Sequence, residues 1–431
     1  MKICIVSKFP PIEGQVANVN YWLARGLALR GDHVRVITNA AETTPPHRCE
    51  FTETELTALE LPETHAGGSL RITNTGALGD KQYHIPYSNP FVSKLASLTL
   101  DAIAREGCDV LFSHYIEPYG IAAGLASMLS GVPHVMTHSG SDIARLLNNP
   151  NFSTLHRAMI ARATVFVAKN SLAQVAAPSV RTARSLGLEA FAPSPEFFRP
   201  GGPVLDIPAA FARWGNVPDM PALECNFDPA RPTIGIYGKL VTVKGIYDLV
   251  KAVARLRESG LDVNLVVVGR WRRDEEIFCE AVKEADLVRH TTVLPFLPNT
   301  LIPEFLRACD VVAYLERKWP SPLHTTIVPR EILAVGRPLV VSGEIAANPL
   351  YSDTLIDGEN CLIVPDPTDA PQLEAILRRS LCDSTLRTRL SERALGTAQG
   401  WSQDRFVDAW RRLFVQIADV SPSLHALETV M

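Results

Sequence analysis

The chain has 431 residues, of which 46% are hydrophobic and 20% are charged, and its formal net charge at pH 7 is −4. This length and hydrophobic content suit two globular domains better than one or three. The nearly balanced charge argues against a general attraction to polyanions, so no binding of nucleic acid is expected. The eight cysteines include no C-x-x-C pair, a pattern that predicts reduced, buried thiols in a cytoplasmic protein without structural zinc.

The amino terminus carries only a short apolar run. It extends from Ile3 to Ser7 and is followed by Lys8 and the Pro10–Pro11 pair. This run is shorter than the apolar region of a signal peptide and is typical of a buried first strand. Because no run approaches the length of about 18 apolar residues that spans a bilayer, membrane contact is expected to be peripheral at most.

Short apolar runs alternate with amphipathic segments along the first half. The runs predicted to be buried strands are Ile3–Val6, Val34–Ile37, Asp109–Ser113, Pro133–Thr137 and Val165–Ala168. The segment Val19–Leu29 has helical periodicity and ends before Gly31. From Ala40 to about Pro90 the sequence is rich in Thr, Pro and Gly and predicts a long loop or a small insertion.

A second alternating series follows an irregular, proline-rich stretch from Pro193 to Pro232. Its predicted strands are Thr233–Tyr237, Val263–Val268, Thr291–Val293, Val311–Tyr314, Leu339–Val341 and Cys361–Val364, and its predicted helices include Ile246–Arg257 and Gln372–Leu381. The predicted fold is therefore α/β, with two doubly wound, Rossmann-like domains covering residues 1–200 and 201–400. Ligands of such domains bind at the carboxyl ends of the strands, which predicts a site in a cleft between the domains.

Two lysines follow the first strand of the second series. Lys239 and Lys244 lie in the turn from Gly238 to Gly245, and a helix is predicted to begin near Ile246. Two ammonium groups and backbone N–H donors at one strand end form a site for a diphosphate. The alternative is that both lysines are solvated loop residues, since lysine is common in loops.

A second motif spans residues 321–338. Either Thr325 or Thr326 is predicted to cap the start of a short helix that ends near Gly336. Glu331 then lies in the first helical turn, where a carboxylate complements the helix dipole. The alternative role for Glu331 is to accept hydrogen bonds from ribose hydroxyls, as carboxylates do in nucleotide sites.

Two features of the first half also lie at predicted strand ends. His138 directly follows the strand Pro133–Thr137, at the edge where ligands bind, although a structural histidine is the alternative. Gly14 ends the loop from Pro10 that follows the first strand. A glycine there lets a backbone amide approach a phosphate or a sugar.

Taken together in chain order, these segments resemble glycosyltransferase family 4, the large retaining GT-B family, over nearly the whole chain. The matching segments are Pro10–Gly14, Leu23–Ile37, Pro133–Asp142, Glu196–Pro200, Gly238–Gly245, Pro329–Pro338 and Asp357–Leu362. The resemblance implies a GT-B fold whose last helix, within residues 401–420, packs back on the N-terminal domain. It also implies sugar transfer from a nucleotide-diphosphate sugar, most commonly a UDP-sugar, to a small-molecule, glycan or lipid-linked acceptor, with no metal or other cofactor.

The resemblance also implies a role for each matching residue. Lys239 and Lys244 fall on the basic pair that binds the donor diphosphate, although the first is more often arginine in the family. Glu331 falls on the glutamate that holds the ribose. His138 falls on a histidine close to the transferred sugar, where it orients or stabilises groups while the departing phosphate oxygen takes the acceptor proton.

The chain departs from the family pattern at two places. Leu323 stands where the family has a first glutamate in contact with the donor sugar. His324, Thr325 and Thr326 are then expected to supply the sugar contacts through side chains or amides. Gln15 stands where the first loop of the family commonly has a second glycine.

Two other classes of function share the predicted nucleotide site. A sugar-nucleotide epimerase of the GT-B type needs catalytic carboxylates in the cleft and no separate acceptor. A non-catalytic sugar-nucleotide binding protein is the interpretation that Leu323 favours. Trp271 follows a predicted strand, and it is interpreted either as a stacking partner for the base or as a partly packed surface residue.

Overall fold

A computed structural model describes residues 1–78, 89–168, 177–215, 217, 223–270, 275–319 and 326–420. Within these ranges the backbone forms two parallel β-sheets, each with helices between its strands. The prediction of two doubly wound α/β sheets is confirmed.

The first sheet is built from short, largely buried strands. They are β1 (Lys2–Ser7), β2 (His33–Thr38), β3 (Ser69–Asn74), β4 (Val110–His114), β5 (His134–Thr137), β6 (Val165–Ala168) and β7 (Val180–Thr182). Their order is β3-β2-β1-β4-β5-β6-β7, and neighbouring strands are parallel. The strand order reverses between β1 and β4, and in such sheets the carboxyl edge beside this switch point is where ligands bind.

Six helices of the described residues accompany this sheet. They are α1 (Gln15–Leu29), α2 (Glu53–Thr57), α3 (Phe91–Glu106), α4 (Ile121–Ser130), α5 (Ser141–Leu146) and α6 (Ser153–Arg162). α1 begins four residues earlier than predicted, directly after Gly14, whose φ of 101° suits glycine. The first strand thus leads into α1 through a tight loop at the carboxyl edge of the sheet.

The stretch from Ala40 to about Pro90, predicted to be a long loop or a small insertion, contains regular structure. Strand β3 pairs with β2 in the register Arg35↔Arg71 and forms one edge of the sheet. Helix α2 begins at a capping box in which Thr52 and Glu55 satisfy each other's backbone N–H groups. The long-loop alternative is wrong for this strand: β3 lies at an edge and is only partly buried, so its sequence lacks the continuous apolar run that predicts a strand.

The second sheet has the same design. Its strands are β8 (Thr233–Lys239), β9 (Asn264–Arg270), β10 (Thr291–Leu294), β11 (Val311–Tyr314), β12 (Leu339–Ser342) and β13 (Leu362–Val364), in the order β10-β9-β8-β11-β12-β13. The remaining helices are α7 (Ile207–Trp214), α8 (Ile246–Glu258), α9 (Glu275–Glu284), α10 (Ile302–Ala308), α11 (Val328–Val335), α12 (Gly343–Ala346), α13 (Ala370–Cys382), α14 (Ser384–Gln399) and α15 (Gln403–Val420). The order of these strands reverses between β8 and β11, so the carboxyl end of β8 is the expected ligand position.

One arginine donates three hydrogen bonds to the proline-rich connection between the sheets. The guanidinium of Arg307 donates hydrogen bonds to the carbonyls of Pro203, Phe197 and Arg199 at 2.6, 3.2 and 2.9 Å. The ring of Phe197 lies 5.0 Å from that of the fully buried Trp22, centroid to centroid. The connection is therefore packed against the first sheet's helices and tied to α10 of the second half.

Helix α15 returns to the first half and packs on α1. The guanidinium of Arg411 donates to both carboxylate oxygens of the buried Asp32, at 2.7 and 3.1 Å. A Cβ added at Gly26 would lie 2.5 Å from Cγ2 of Val407, so the close approach of the two helices requires glycine at this position. α15 spans 18 residues, yet neither it nor another helix in the described ranges is long and apolar enough to cross a membrane.

All eight cysteines are unpaired. Seven of them are at least partly buried, whereas Cys382 is exposed. The prediction of buried thiols was wrong for Cys382, which is the last residue of α13 and therefore lies at a helix end.

Candidate active site

The carboxyl edges of the two sheets meet across a cleft. Nζ of Lys239, the last residue of β8, lies 3.0 Å from Oε1 of Glu13 in the loop between β1 and α1. Arg270, the last residue of β9, pairs with the carboxylate of Glu50 in the first half. Both pairs join a base of the second half to an acid of the first, so the predicted ligand-binding edges face each other.

The two lysines predicted to bind the diphosphate lie at the end of β8 and in the turn that follows it. After Lys239, the residues Thr242–Lys244 form a 3₁₀ turn, and Gly245 leads into α8 with φ 76°. A Cβ at Gly245 would lie 2.5 Å from Cβ of Leu315. Glycine at this position thus allows the turn to approach the end of β11 closely.

Lys244 lies in a mostly buried pocket beside β11. Its ammonium group pairs with the carboxylate of Glu316, and Nζ lies 4.3 Å from the ring centroid of Trp319 and 5.6 Å from that of Tyr314. Burial and the charge of Lys239 lower the pKa of Lys244, while the carboxylate of Glu316 favours the charged form. The solvated-loop alternative does not describe Lys244, whose side chain is only 15% exposed.

Glu316 was missed by the sequence reasoning. It is fully buried, and the hydroxyl of Tyr314 lies within hydrogen-bond distance of its carboxylate. A signal was present, because Glu316 follows the buried strand β11 and therefore lies at the same carboxyl edge as Lys239.

Glu331 lies in the first turn of α11 and is hydrogen-bonded to a residue of β8, the strand that ends in Lys239. The hydroxyl of Tyr237, on β8, donates a hydrogen bond of 2.7 Å to Oε2 of Glu331. Burial raises the pKa of Glu331 to about 7, although the hydrogen bond from Tyr237 opposes this rise. Tyr237 lies two residues before the end of β8, so the structure brings Glu331 close to the end of this strand.

The segment before α11 differs in part from the prediction. The cap residue of α11 is Ile327, so the prediction that Thr325 or Thr326 caps the helix was wrong. Oγ1 of Thr326 lies 2.6 Å from the hydroxyl of Tyr314 and accepts from the amide of Val328 at 3.3 Å, contacts that hold it just ahead of the helix. Its contact with a donor sugar stays a prediction.

Four other predicted positions, Trp271, Leu323, His324 and Thr325, lie outside the described residues.

His138 lies at the facing edge, directly after β5. Its side chain is fully buried, Nδ1 accepts a hydrogen bond of 3.0 Å from the amide of Gly140, and the ring stacks on Phe166 with centroids 5.8 Å apart. Because Nδ1 is the acceptor, the neutral ring carries its proton on Nε2.

Gly14, the other predicted residue of the first half, directly precedes α1. The space that a Cβ would occupy at Gly14 is open.

Glu13, next to Gly14, is a further residue that the sequence reasoning did not assign. It is 1% exposed, and Oε1 lies 3.7 Å from Nδ1 of His47. Burial by itself would raise its pKa, but the nearby His47 and the charges of Lys239 and Lys8 lower the pKa to about 2. A carboxylate that is ionised at neutral pH therefore lies between the two sheets.

Two family models match the chain. The model described as glycosyl transferases group 1 matches residues 224–396, and the model described as a glycosyl transferase 4-like domain matches residues 14–188. The first match contains Lys239, Lys244 and Glu331, and the second contains Gly14 and His138.

Solved structures with the same fold cover nearly the whole chain. Sucrose-phosphate synthase from Thermosynechococcus elongatus is 18% identical with a TM-score of 0.65, and the shared region covers 97% of this chain and 99% of that chain. HepE of Anabaena in complex with UDP-glucose is 16% identical with a TM-score of 0.63, covering 97% of this chain and 99% of that chain. At these identities the likeness concerns the fold.

Two curated relatives from Streptomyces kanamyceticus match shorter segments. Alpha-D-kanosaminyltransferase is 29% identical over 167 residues, and 2-deoxystreptamine glucosyltransferase is 40% identical over 83 residues. These segments cover 38% and 19% of this chain and 40% and 21% of the relatives' lengths.

Two doubly wound sheets whose carboxyl edges face each other, with solved neighbours of the same arrangement, define a GT-B fold. The chain belongs to glycosyltransferase family 4, as the sequence resemblance predicted.

Proposed function

We propose that this chain transfers a sugar, with retention of its anomeric configuration, from a UDP-sugar to a hydroxyl group of a small acceptor. The observation that carries the proposal is the convergence of Lys239, Lys244 and Glu331 at the carboxyl end of β8. UDP is proposed as the nucleotide because HepE, which shares the fold, was solved with UDP-glucose.

The lysines supply the electrostatic part of the reaction. When the bond between the sugar and the diphosphate breaks, negative charge grows on the leaving phosphate, and fixed cations beside it lower the barrier. Lys239 and Lys244 meet this charge together with the amides at the start of α8. In the absence of donor, Glu316 keeps the ammonium group of Lys244 in place.

Glu331 is proposed to hold the ribose. A carboxylate accepts hydrogen bonds from two adjacent hydroxyl groups, and these bonds require its ionised form. Since the pKa of Glu331 is about 7, ribose binding is proposed to favour ionisation and to release a proton. Tyr237 fixes the carboxylate relative to the lysines, which sets the distance between the ribose and diphosphate sites.

His138 is proposed to act beside the transferred sugar on the facing sheet. Its protonated Nε2 is a hydrogen-bond donor that suits a sugar hydroxyl or the reacting oxygen. The acceptor proton is proposed to pass to the departing phosphate oxygen, so His138 orients or stabilises groups and is not a general base.

The acceptor is proposed to be an aminocyclitol or a related amine-bearing polyol. Support comes from the relative named 2-deoxystreptamine glucosyltransferase, which is 40% identical over its matched segment. The acceptor then lies against the first sheet, between the loop at Glu13 and His138.

Transfer is proposed to need no metal, because cations of the chain already meet the leaving group. The test is incubation with UDP-glucose and 2-deoxystreptamine, with and without EDTA, followed by proton NMR of the product. The expected result is an α-linked glucoside formed at the same rate with EDTA. A β-linked product, an absolute need for Mg²⁺ or Mn²⁺, or isomerised UDP-sugar formed without acceptor would contradict the proposal.

A further inference from the structure

The carboxylate of Glu13 has one partnered and one unpartnered oxygen. Oε1 lies 3.0 Å from Nζ of Lys239 and 3.7 Å from Nδ1 of His47. Oε2 is buried and has no hydrogen-bond partner in the part of the chain that the structure describes. Because an ionised carboxylate accepts several hydrogen bonds, Oε2 has unused capacity for a donor group at the cleft.

Donor binding changes the surroundings of this carboxylate. The side chain of Lys239 is 39% exposed and accessible to a ligand, and under the proposed function it meets the diphosphate. The diphosphate then brings negative charge next to Glu13 and takes a share of Lys239, whose ammonium group lies 3.0 Å from the carboxylate. A buried carboxylate that loses its counter-charge is strongly destabilising unless another cation replaces it.

Glu13 also lies on the acceptor side of the cleft. It follows β1, and His138 follows β5, so both lie at the carboxyl edge of the first sheet. The buried Asp142 near His138 is different, because its two oxygens accept backbone hydrogen bonds from Ser139, Ile143 and Ile116 at 3.1 to 3.2 Å. Glu13 is thus the better placed of these two carboxylates to bind a ligand.

We propose that Glu13 binds an ammonium group of the acceptor, and that the donor diphosphate makes it available by drawing Lys239 away. The inference rests on the proposed function and names the acceptor chemistry that the cleft selects. The ammonium restores the counter-charge of Glu13 and donates to Oε2. It also offsets the repulsion between Glu13 and the diphosphate, so donor and amine acceptor strengthen each other's binding.

The test compares wild type with Glu13→Gln, using UDP-glucose and two acceptors. The acceptors are 2-deoxystreptamine and its di-N-acetyl derivative, which lacks the positive charges. The expected result for Glu13→Gln is a KM for 2-deoxystreptamine raised by about 30-fold or more, as for loss of a buried charge partner, and an unchanged KM for the acetylated compound. Because the competing anion is gone, UDP alone is expected to bind the variant up to about fivefold more tightly, as measured by calorimetry.

Glu50→Gln is the matched control, since Glu50 also pairs with a base across the cleft, Arg270. It is expected to leave the preference for the amine unchanged. If Glu13→Gln changes KM for both acceptors equally, or weakens UDP binding, Glu13 is a structural link and the inference is overturned. Transfer to neither acceptor by a wild-type protein that binds UDP also overturns it, whereas failure of wild type to bind UDP contradicts the proposed function itself.

Discussion

The hydroxyl of Tyr237 donates a 2.7 Å hydrogen bond to the carboxylate of Glu331, which joins the strand that ends in Lys239 to helix α11. Glu331 is 3% exposed and has a pKa raised by burial to about 7. A buried carboxylate is costly to ionise, and carboxylates with such shifted pKa values cluster at sites that bind ligands. The link between these two residues therefore has consequences for stability as well as for nucleotide binding.

Glu331→Gln is expected to stabilise the free protein more as the pH rises. The pKa of Glu331 rises from 4.5 to about 7 on folding. Wild type therefore loses stability as the pH rises from about 4.5 to about 7, and above this range the difference in stability between wild type and the variant is constant. The expected gain for the variant is about 3 kcal/mol at pH 8.5 and less than about 1 kcal/mol at pH 5. Urea unfolding at both pH values measures it, with the exposed Glu359→Gln as control. A gain that is equal at the two pH values would contradict the proposed burial of charge.

Lys244→Ala is expected to reduce turnover more than it reduces nucleotide binding. Its ammonium group is proposed to meet charge that grows in the transition state, so its loss costs about 2 to 4 kcal/mol in kcat. Steady-state kinetics and calorimetry with UDP measure the two effects. Lys251→Ala, on the exposed face of α8, is the control and is expected to behave as wild type. Equal losses in kcat and in UDP affinity would assign Lys244 to ground-state binding.

His138→Ala is expected to lower kcat by a larger factor than it weakens UDP binding, because its proposed position is beside the reacting carbon. Its burial and its stacking on Phe166 make a structural role the competing explanation. Thermal unfolding of the variant distinguishes the two roles. A lower Tm with kcat and UDP affinity reduced in parallel would make His138 structural.

Arg307→Ala is expected to destabilise the protein by about 3 kcal/mol, because three backbone carbonyls lose a charged donor. The effect concerns the connection around Phe197 and is measured by denaturant unfolding. Arg105→Ala is a suitable control, since the side chain of Arg105 is 75% exposed and pairs with Asp101 within its own helix; its effect is expected to stay below about 1 kcal/mol. Similar effects of the two substitutions would show that the connection contributes little to stability.

The central strands of both sheets could be predicted from sequence because they are buried on both faces. Strands β1 and β9, for example, read as continuous apolar runs. Strand β3 was missed because an edge strand exposes polar residues such as Arg71. Helix α7 was missed because its eight residues begin at a proline-containing turn within a proline-rich stretch.

The residues of the candidate site that belong to a local sequence motif could be predicted. Lys239 and Lys244 share one turn, and Glu331 lies in a recognisable helix start, so the resemblance reaches these residues. The roles of Tyr237, Glu316 and Glu13 depend on contacts between elements that are far apart in sequence. Such contacts leave no periodic or spacing signal, and only the fold reveals them.

The most direct test of the proposed nucleotide site is calorimetric titration of UDP, GDP and ADP into wild type, Lys244→Ala and Glu331→Gln, with folding of each variant checked by circular dichroism. Wild type is expected to bind UDP, and Glu331→Gln is expected to bind it about tenfold or more weakly, as when a ligand's hydroxyl groups lose a buried acceptor. Proton release on binding near pH 7, seen in buffers of different ionisation enthalpy, is expected to be smaller in Glu331→Gln. If both folded variants bind every one of the three nucleotides as wild type does, the nucleotide does not bind at the end of β8 and the account is contradicted.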